Sequence, residues 1–404
     1  MLIVKKFGGT SVANKERILN VAKRCIEDYK KGHEVVVVLS AMGKKTDELI
    51  EQARDINPNP QKRELDMLLT VGEQTSVALM AMAIDSLGVP AVSLNAFQVA
   101  MHTTSAYGNA RLKRIDTERI RNELDAKRIV IITGFQGIDK QDNYATLGRG
   151  GSDTTAVALA AALKADSCEI YTDVDGVYTA DPRFVKNARK LNEITYDEML
   201  DLASLGAGVL HNRSVEMAKK YGVQLVVRSS LNTSEGTVVK EETRMEEMLV
   251  SGVAGDKNTA RISVIGLQDN PGVTFKLFQH LANHNINVDI ILQSVAREGT
   301  KDVSFTVAED AVEDALEVIK RHKNTSLACD YIEVETAVAK VSVVGAGMMS
   351  NPGVAAKMFE ALYDIGVTIK MIATSEIRIT VLIDEAYTEQ AIKAVHDKFM
   401  LGEA

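Results

Sequence analysis

The residues 146–155, which read TLGRGGSDTT, combine the residue types that bind an anionic ligand. Three glycines within four positions permit positive φ angles and let a ligand approach the backbone closely. Ser152 or Asp153 is expected to cap the apolar helix that follows, and a helix N-terminus suits a phosphate or a carboxylate. Arg149 adds a planar cation that can clamp a carboxylate. The stretch therefore predicts an anion site, with a loop that only caps a buried helix as the alternative.

Two more polar stretches follow apolar, strand-like segments. Lys6, Gly8 and Gly9 can place a cation and bare backbone amides against phosphate oxygens. Residues 171–183 form a second loop that is dense in polar groups, among them three Asp and two Thr. Neither stretch is a Walker loop, and the protein-kinase signatures are missing. Taken alone, each stretch can also be a structural turn. A third motif, Gly345-Ala346-Gly347, has Ser350 where a dinucleotide fingerprint needs its third glycine, which argues against nicotinamide binding.

The elements that must position these residues alternate between strand and helix. Helices are predicted up to about residue 30 and over residues 66–87 and 117–124. Because each strand is apolar throughout, we expect a mostly parallel sheet with helices on both faces, and ligands at the strand ends. The strands are predicted at residues 2–4, 35–39, 89–94, 129–134, 169–173 and 224–227.

Beyond a charged helix or linker at residues 240–248 the chain repeats itself. Residues 261–266 match 340–345, and Asn270-Pro271-Gly272 matches Asn351-Pro352-Gly353. Each copy reads β-α-β-β-α over roughly 70 residues, a ferredoxin-like pattern. The strand after the first helix is predicted at residues 286–292 in the first copy and 367–372 in the second. A strand signal at 248–253 has no partner of its own, so we infer that it completes the second copy. The predicted domains are 1–240, a linker and strand at 241–260, and modules at 261–338 and 339–404.

Composition narrows the function classes for this chain of 404 residues. The net charge of −8 argues against nucleic acid or an anionic membrane as a partner. The uninterrupted apolar runs are too short to span a bilayer, and no signal-peptide pattern is present. Three distant cysteines favour a reducing, cytoplasmic setting without a disulfide or metal cluster.

The ordered motifs resemble those of the aspartokinases, and the C-terminal pair resembles tandem ACT domains. The motifs are KFGGTS at 6–11, SAMG at 40–43, GEQ at 72–74, GFQG at 134–137, and the stretches 148–153 and 171–183. The resemblance implies an α/β amino-acid-kinase fold, with a mostly parallel sheet sandwiched by helices, followed by two βαββαβ ACT modules. It also implies phosphorylation of the β-carboxylate of L-aspartate by ATP with Mg²⁺, the step that opens lysine, threonine, methionine and diaminopimelate synthesis.

The resemblance assigns roles to individual residues. Lys6 would bridge the transferring phosphate, and Asp153 would orient that lysine. Arg149 would pair with the α-carboxylate of aspartate and Glu73 with its α-ammonium. The full substrate set is Ser40, Thr46, Glu73, Arg149, Gly150, Gly151 and Ser152. The nucleotide set is Lys6, Phe7, Gly8, Gly9, Thr172, Asp173, Tyr178 and Arg183. One departure is Asn212, which follows His211 in the stretch 206–213 where the family usually has proline.

The resemblance also places amino-acid effector sites in the ACT modules. Lysine is the first choice because the acidic side chains of Asp289 and Glu376 could match its ammonium groups, with threonine as co-effector. The effector set is Asn270, Gly272, Asn287, Val288, Asp289, Gln293, Ser375 and Glu376. Because each module has an open sheet edge, we expect a homodimer or a higher oligomer through the ACT modules.

Two other functions remain open from the sequence. One is a kinase of another acidic amino acid, such as glutamate, against which the tandem modules and the KFGGTS motif weigh. The other is a non-catalytic amino-acid sensor, against which the intact Lys6, Glu73, Arg149 and Asp153 argue. A carboxylate nucleophile is already ionised near pH 7 and needs no general base, which fits motifs that contain no histidine.

Overall fold

The computed structural model describes residues 1–205, 209–242, 249–323, 325–349 and 351–403. The chain forms two compact units. The first contains Met1–Val177, Lys190–Ser204 and the described residues from 209 to 242, and the second contains Tyr178–Arg189, Leu205 and the described residues from 249 onward. Parts of two sequence predictions, residues 206–208 of the stretch before His211 and residues 243–248 of the charged linker and strand signal, lie outside the described residues.

The first unit is an α/β domain. In chain order its elements are β1 (Leu2–Phe7), α1 (Lys15–Lys30), β2 (Glu34–Leu39), α2 (Lys45–Ile56), α3 (Lys62–Ser86), β3 (Ala91–Leu94), β4 (His102–Thr103), β5 (Leu112–Arg114), α4 (Glu118–Asp125), β6 (Ile129–Thr133), β7 (Gln136–Ile138), β8 (Tyr144–Thr146), α5 (Gly151–Leu163), β9 (Ser167–Thr172), β10 (Glu193–Thr195), α6 (Tyr196–Ser204), α7 (Asn212–Tyr221), β11 (Leu225–Ser229) and β12 (Thr237–Lys240).

Eight of these strands form the main sheet, in the order β10-β12-β11-β9-β1-β2-β6-β3. All neighbouring strands are parallel except β11 and β12. The central strands β1, β2 and β6 are almost wholly buried because both faces are covered. This agrees with the α/β fold class predicted from the sequence. The small sheet β5-β4-β7-β8 and the helix α2 were not predicted.

The helix α3 crosses the unit and carries two buried carboxylates. Asp66 is 1% exposed and Glu73 is 3% exposed. Among the described residues, α3 is the one helix long and apolar enough to cross a membrane by length and composition alone, and 44% of its apolar window is buried within the protein. A partly buried helix with two buried carboxylates also fits the core of a globular domain.

The second unit contains the two repeats. Its elements are β13 (Gly252–Gln268), α8 (Val273–Asn283), β14 (Ile291–Gln293), β15 (Thr300–Val307), α9 (Val312–His322), β16 (Tyr331–Val344), α10 (Val354–Asp364), β17 (Met371–Thr374), β18 (Arg378–Asp384) and α11 (Thr388–Lys398). The strands form one antiparallel sheet in the order β14-β15-β13-β16-β18-β17. The predicted strands 286–292 and 367–372 start later than expected, because Ile286 and Val367 are buried in the loops that precede β14 and β17.

The long strands β13 and β16 belong to both repeats. Gly252 to Asp256 pair with Val344 to Lys340, whereas Arg261 to Ile265 pair with Glu335 to Tyr331. Each repeat nevertheless has its own hydrophobic core. The core of the second repeat includes Ala180 and Val185, so the segment Tyr178–Arg189 packs with it. Both Asn-Pro-Gly turns lead into helices, with Gly272 and Gly353 as the N-caps of α8 and α10.

Candidate active site

The first unit contains a cavity of about 280 Å³ at the ends of β1 and β2 and the start of α5. Open α/β sheets place their ligands at this edge, beyond the carboxyl ends of the parallel strands. The cavity brings together all the residues predicted to bind substrate and both predicted catalytic residues. Its lining is Lys6, Gly8, Gly9, Ser40, Thr46, Glu73, Phe135, Gly148, Arg149, Gly150, Gly151, Ser152 and Asp153.

Lys6 and Asp153 form an ion pair in this cavity. Lys6 Nζ lies 2.7 Å from Asp153 Oδ1, and both side chains are about one-eighth exposed, at 12% and 13%. Asp153 lies in the first turn of α5, where the helix dipole favours a negative charge. A lysine held at one carboxylate is pre-positioned for a second anion, such as a phosphate.

The neighbouring Lys5 lies on the opposite face of β1 because successive strand residues alternate. Its ammonium is buried and lies 2.6 Å from Asp28 and 2.8 Å from Glu169. Burial is the largest single effect and lowers the pKa of Lys5, but Glu169, Tyr171, Cys25 and Asp28 together outweigh it and the pKa is raised. Lys5 therefore stays charged and ties β1 to α1 and β9, which holds the strand that carries Lys6.

Glu73 is a buried carboxylate with unused hydrogen-bonding capacity. The backbone N–H of Ala41 donates to Oε1 at 3.1 Å, and Oε2 is buried with no hydrogen-bond partner among the described residues. Burial raises the pKa of Glu73 to about 7. A ligand ammonium would satisfy Oε2 and restore the ionised form, because an opposite charge lowers a carboxyl pKa.

Hydrogen bonds fix the wall of the cavity around Glu73. Ser76 Oγ donates to the carbonyl oxygen of Ser40 at 2.8 Å, and Ser40 Oγ donates to Ser152 Oγ at 2.9 Å. The helices α3 and α5 are thus both connected to the end of β2. Ser40 and Ser152 present hydroxyl groups that can turn toward a bound carboxylate.

The start of α5 differs from the sequence prediction. Gly150, in the left-handed region at φ 67°, is the N-cap, and no side chain caps the helix. The expectation that Ser152 or Asp153 caps α5 was therefore wrong, because the helix begins at Gly151 and both side chains lie within its first turn. They serve the cavity instead, through Ser40 and Lys6. The backbone N–H of Gly151 donates to the carbonyl oxygen of Gly148 at 2.9 Å, so the amides that follow it in the first turn of α5 are the ones that can face an anionic ligand.

Arg149 projects from the loop that precedes α5. The side chain is exposed and lines the cavity, and no hydrogen bond or ion pair engages it within the described parts of the chain. Its guanidinium is therefore available to a ligand carboxylate, in two parallel hydrogen bonds.

The residues predicted to bind the nucleotide fall into three groups. Lys6, Gly8 and Gly9 line the cavity. The Phe7 ring is buried and stacks on Tyr171 at 4.4 Å, so only its backbone can face a ligand. Thr172 and Asp173 lie at the end of β9, next to β1, whereas Tyr178 and Arg183 belong to the second unit. Arg183 is exposed and pairs with Asp181.

The predicted effector residues lie in the second unit. Asn270, Asn287 and Glu376 are exposed. Asp289 already accepts a hydrogen bond from Lys340 Nζ at 2.7 Å, and the same ammonium lies 3.1 Å from Asp256. Thr274 Oγ1 donates to Gln293 Oε1 at 3.0 Å. An effector ammonium at Asp289 would therefore have to share that carboxylate with Lys340.

Several residues near the cavity were not singled out by the sequence analysis. Phe135 lines the cavity, and Gln136 is fully buried and donates through Nε2 to the carbonyl oxygen of Thr70 at 2.7 Å. Asp66 accepts from the backbone N–H groups of Gly108 and Thr146. Phe135 and Gln136 belong to the motif GFQG, which is visible in the sequence. The contacts of Asp66 are with residues distant in sequence, so no local sequence pattern indicates them.

Fold and site together define an amino acid kinase joined to ACT modules. Residues 1–229 match the model of the amino acid kinase family, and residues 262–322 and 341–399 match that of the ACT domain. A relative from Bacillus sp. (strain MGA3) named aspartokinase is 53% identical over 402 residues, which are 99% of this chain and 98% of the relative. The chain therefore belongs to the aspartokinase family of kinases.

Solved structures agree with this assignment. One similar structure is that of E. coli aspartokinase III in complex with aspartate and ADP, in the R-state, with a TM-score of 0.84 and 26% sequence identity. The match covers 99% of this chain and 100% of the E. coli chain. The same E. coli enzyme in complex with lysine and aspartate, in the T-state, matches with a TM-score of 0.77 and 26% sequence identity. This match covers 98% of this chain and 99% of the E. coli chain.

Proposed function

We propose that this protein transfers the γ-phosphoryl group of ATP to the β-carboxylate of L-aspartate, producing 4-phospho-L-aspartate and ADP. The observation that carries the proposal is the single cavity that contains the Lys6–Asp153 pair, the buried carboxylate of Glu73 and the free guanidinium of Arg149. These groups match a phosphate, an α-ammonium and an α-carboxylate in turn. The aspartate and ADP bound in the similar E. coli enzyme support the same pair of ligands.

In this mechanism, the zwitterionic end of aspartate is held so that its side chain points toward Lys6. Arg149 pairs with the α-carboxylate and Glu73 accepts from the α-ammonium, with Ser40, Thr46 and Ser152 around them. The β-carboxylate is already ionised and attacks the γ-phosphorus directly, so no residue has to remove a proton. The bond from the γ-phosphorus to the bridging oxygen breaks, and ADP leaves with both electrons.

Catalysis then depends on bringing two anions together. The Lys6 ammonium neutralises charge on the transferring group, and the amides of Gly8 and Gly9 donate to its oxygens. Asp153 keeps Lys6 in place through the 2.7 Å ion pair. Thr172 and Asp173 are the proposed contacts to the rest of the nucleotide, with Phe7 contributing its backbone.

Magnesium fits the donor set of this site. Mg²⁺ binds through one or two carboxylates together with phosphate oxygens and water. Asp153 provides a carboxylate in the cavity, where its Oδ1 lies 2.7 Å from the Lys6 ammonium, and this carboxylate would hold the ion. When bound with the nucleotide, the ion would neutralise phosphate charge.

We assign the second unit to feedback regulation of this reaction in lysine, threonine and methionine synthesis. The helix N-termini at Gly272 and Gly353 suit an effector carboxylate. Lysine is the proposed first effector and threonine the second, supported by the lysine complex of the E. coli enzyme. Pairing with another copy is supported by the apolar side chains exposed at the sheet edges, such as Ile291 and Ile372 at 48% and 40%.

The test is ADP formation by the purified protein with a panel of amino acids. L-Aspartate should drive ADP release, whereas L-glutamate and D-aspartate should drive little. Faster ADP release with L-glutamate than with L-aspartate would identify glutamate as the substrate. No turnover with any amino acid would favour a sensor without catalytic activity.

A further inference from the structure

The loop that carries Arg149 has an unusual backbone on both sides of that residue. Gly148 has φ 78° and Gly150 has φ 67°, both in the left-handed region. These two glycines therefore determine the direction in which Arg149 leaves the loop. Glycine adopts such angles readily but does not hold them, because it is the most flexible residue. Other parts of the protein must keep this loop in one conformation.

The first turn of α7 provides two such restraints. Arg213 Nη1 donates to the carbonyl oxygen of Leu147 at 2.6 Å, and Nη2 donates to that of Ala110 at 3.0 Å. The Leu147 carbonyl directly precedes Gly148. A planar guanidinium that bridges two carbonyls fixes both their separation and their orientation.

The second restraint acts on the other side of Arg149. The ring of His211 covers Gly150 so closely that a Cβ atom at Gly150 would lie 2.2 Å from His211 Cγ. The backbone N–H of Arg213 donates to His211 Nδ1 at 3.3 Å, and burial lowers the pKa of His211. A neutral imidazole is therefore held against Gly150, the last residue of the Leu147–Gly150 segment, whose first carbonyl accepts from Arg213.

We propose that Arg213 is a positioning residue that holds Arg149 in the orientation that binds the substrate α-carboxylate. Arg213 itself is not part of the cavity lining, so it acts through the loop and not by touching the substrate. The proposal rests on the role assigned to Arg149 under the proposed function. The proposal goes beyond that role because it makes the affinity for aspartate depend on α7, a helix some 60 residues after Arg149 in the sequence.

The physical consequence is a cost in conformational entropy. Without Arg213, two loop carbonyls lose their charged donor, and the glycine-flanked segment gains freedom. Aspartate must then order the loop when it binds, which weakens binding in the ground state. Once aspartate is bound, Arg149 is again in place, so the phosphoryl transfer step should change much less.

The experiment compares Arg213→Gln and Arg213→Lys with the control Lys219→Ala. Lys219 lies on the same helix, and its partner Asp197 is an exposed residue outside the cavity. Arg213→Gln should raise the KM for aspartate about tenfold or more, with kcat and the KM for ATP within about threefold of the wild type. Arg213→Lys keeps one charged donor, so it should raise the KM for aspartate less than Arg213→Gln does. Lys219→Ala should leave kcat, the KM for aspartate and the KM for ATP unchanged.

A double-mutant cycle with Arg149→Ala separates positioning from general damage. If Arg213 acts through Arg149, Arg213→Gln should raise the KM for aspartate little further in the Arg149→Ala background. Effects that multiply in the double variant would overturn the proposal, as would equal losses of kcat and ATP affinity in Arg213→Gln. If Arg213→Gln does not fold, the Lys variant takes its place in the cycle. Wild-type turnover with aspartate tests the proposed function separately.

Discussion

At the scale of single residues, Glu73 is placed to make substrate binding depend on pH. Its pKa is raised to about 7 by burial, so the carboxyl becomes protonated as the pH falls through that value. The protonated form cannot form an ion pair with the α-ammonium of aspartate. We therefore expect kcat/KM for aspartate to decrease as the pH falls below about 7, approaching tenfold per pH unit. The measurement is kcat/KM for aspartate between about pH 8 and pH 5.5.

Glu73→Gln provides the matched control for this profile. The amide has nearly the same shape but does not titrate, so its activity should be low and should lack the acidic limb that belongs to Glu73. A wild-type profile without a decrease over this range would contradict the assignment. So would a Gln variant with the same acidic limb as the wild type.

Lys6 is expected to act mainly in the transition state. Its charge matters most while the phosphoryl group transfers, so Lys6→Ala should lower kcat roughly 10²-fold or more and raise the KM for aspartate much less. Steady-state kinetics with both substrates varied would measure the two effects separately. A variant with nearly normal kcat would place Lys6 away from the transferring phosphate.

At the scale of elements, the packing of His211 on Gly150 leads to a prediction about α5. Gly150→Ala adds strain at positive φ and a clash with the His211 ring. Gly222, at the end of α7, has a similar φ of 64° but open space around its missing Cβ. Both alanine variants should lose about 1–2 kcal/mol from backbone strain. Only Gly150→Ala should also lose most of its kcat/KM for aspartate.

Thermal unfolding and kinetics of the two variants test this comparison. Equal kinetic losses in Gly150→Ala and Gly222→Ala would mean that the contact with His211 does not matter for the site. Unchanged aspartate kinetics in Gly150→Ala would mean that the start of α5 tolerates a shift, and the loop conformation would then not be critical.

The elements that the sequence predicted are those with a strong local pattern. The strands β1, β2 and β6 each contain an apolar run of three to five residues, and α5 is an Ala-rich helix after a glycine loop. The small sheet was missed because strands such as β4 and β5, of two and three residues, are too short to show a period. The N-cap of α5 was predicted wrongly because Ser152 and Asp153 have partners in other elements that no local rule contains.

The same reasoning applies to the candidate site. The glycine loops, Lys6 and Arg149 were found from residue types and spacing, whereas the roles of Glu73, Ser40 and Thr46 came from the resemblance to a known family. The burial of Glu73 and Asp66 could not be predicted, since it depends on how α3 packs against residues distant in sequence. Ala41 is 32 positions from Glu73, and Gly108 and Thr146 are 42 and 80 positions from Asp66. The same holds for the hydrogen bonds of Arg213 to Leu147 and Ala110.

At the scale of the whole molecule, regulation should depend on the second unit. Replacing Asp289 with Asn should weaken inhibition by lysine and leave uninhibited kcat roughly intact, because the effector ammonium loses a carboxylate partner. The ion pair of Asp289 with Lys340 offers another explanation for any effect. Asp256→Asn is the control, since it also removes a partner of Lys340 but lies outside the predicted effector set.

Inhibition curves with lysine distinguish these explanations. We expect the half-inhibitory concentration to rise in Asp289→Asn and to stay unchanged in Asp256→Asn. A similar rise in both variants would mean that the change acts through Lys340. Unchanged inhibition by lysine in both Asp289→Asn and Glu376→Gln would mean that neither carboxylate binds the effector.

The central claim is that the cavity orients aspartate with its β-carboxylate toward Lys6. The most direct test is to run the reaction with ATP and L-aspartate in the presence of hydroxylamine, which converts an acyl phosphate to a hydroxamate, and to identify the product by NMR. The account predicts the β-hydroxamate, formed in proportion to ADP and absent with Lys6→Ala. The α-hydroxamate, or ADP released without any hydroxamate, would contradict it.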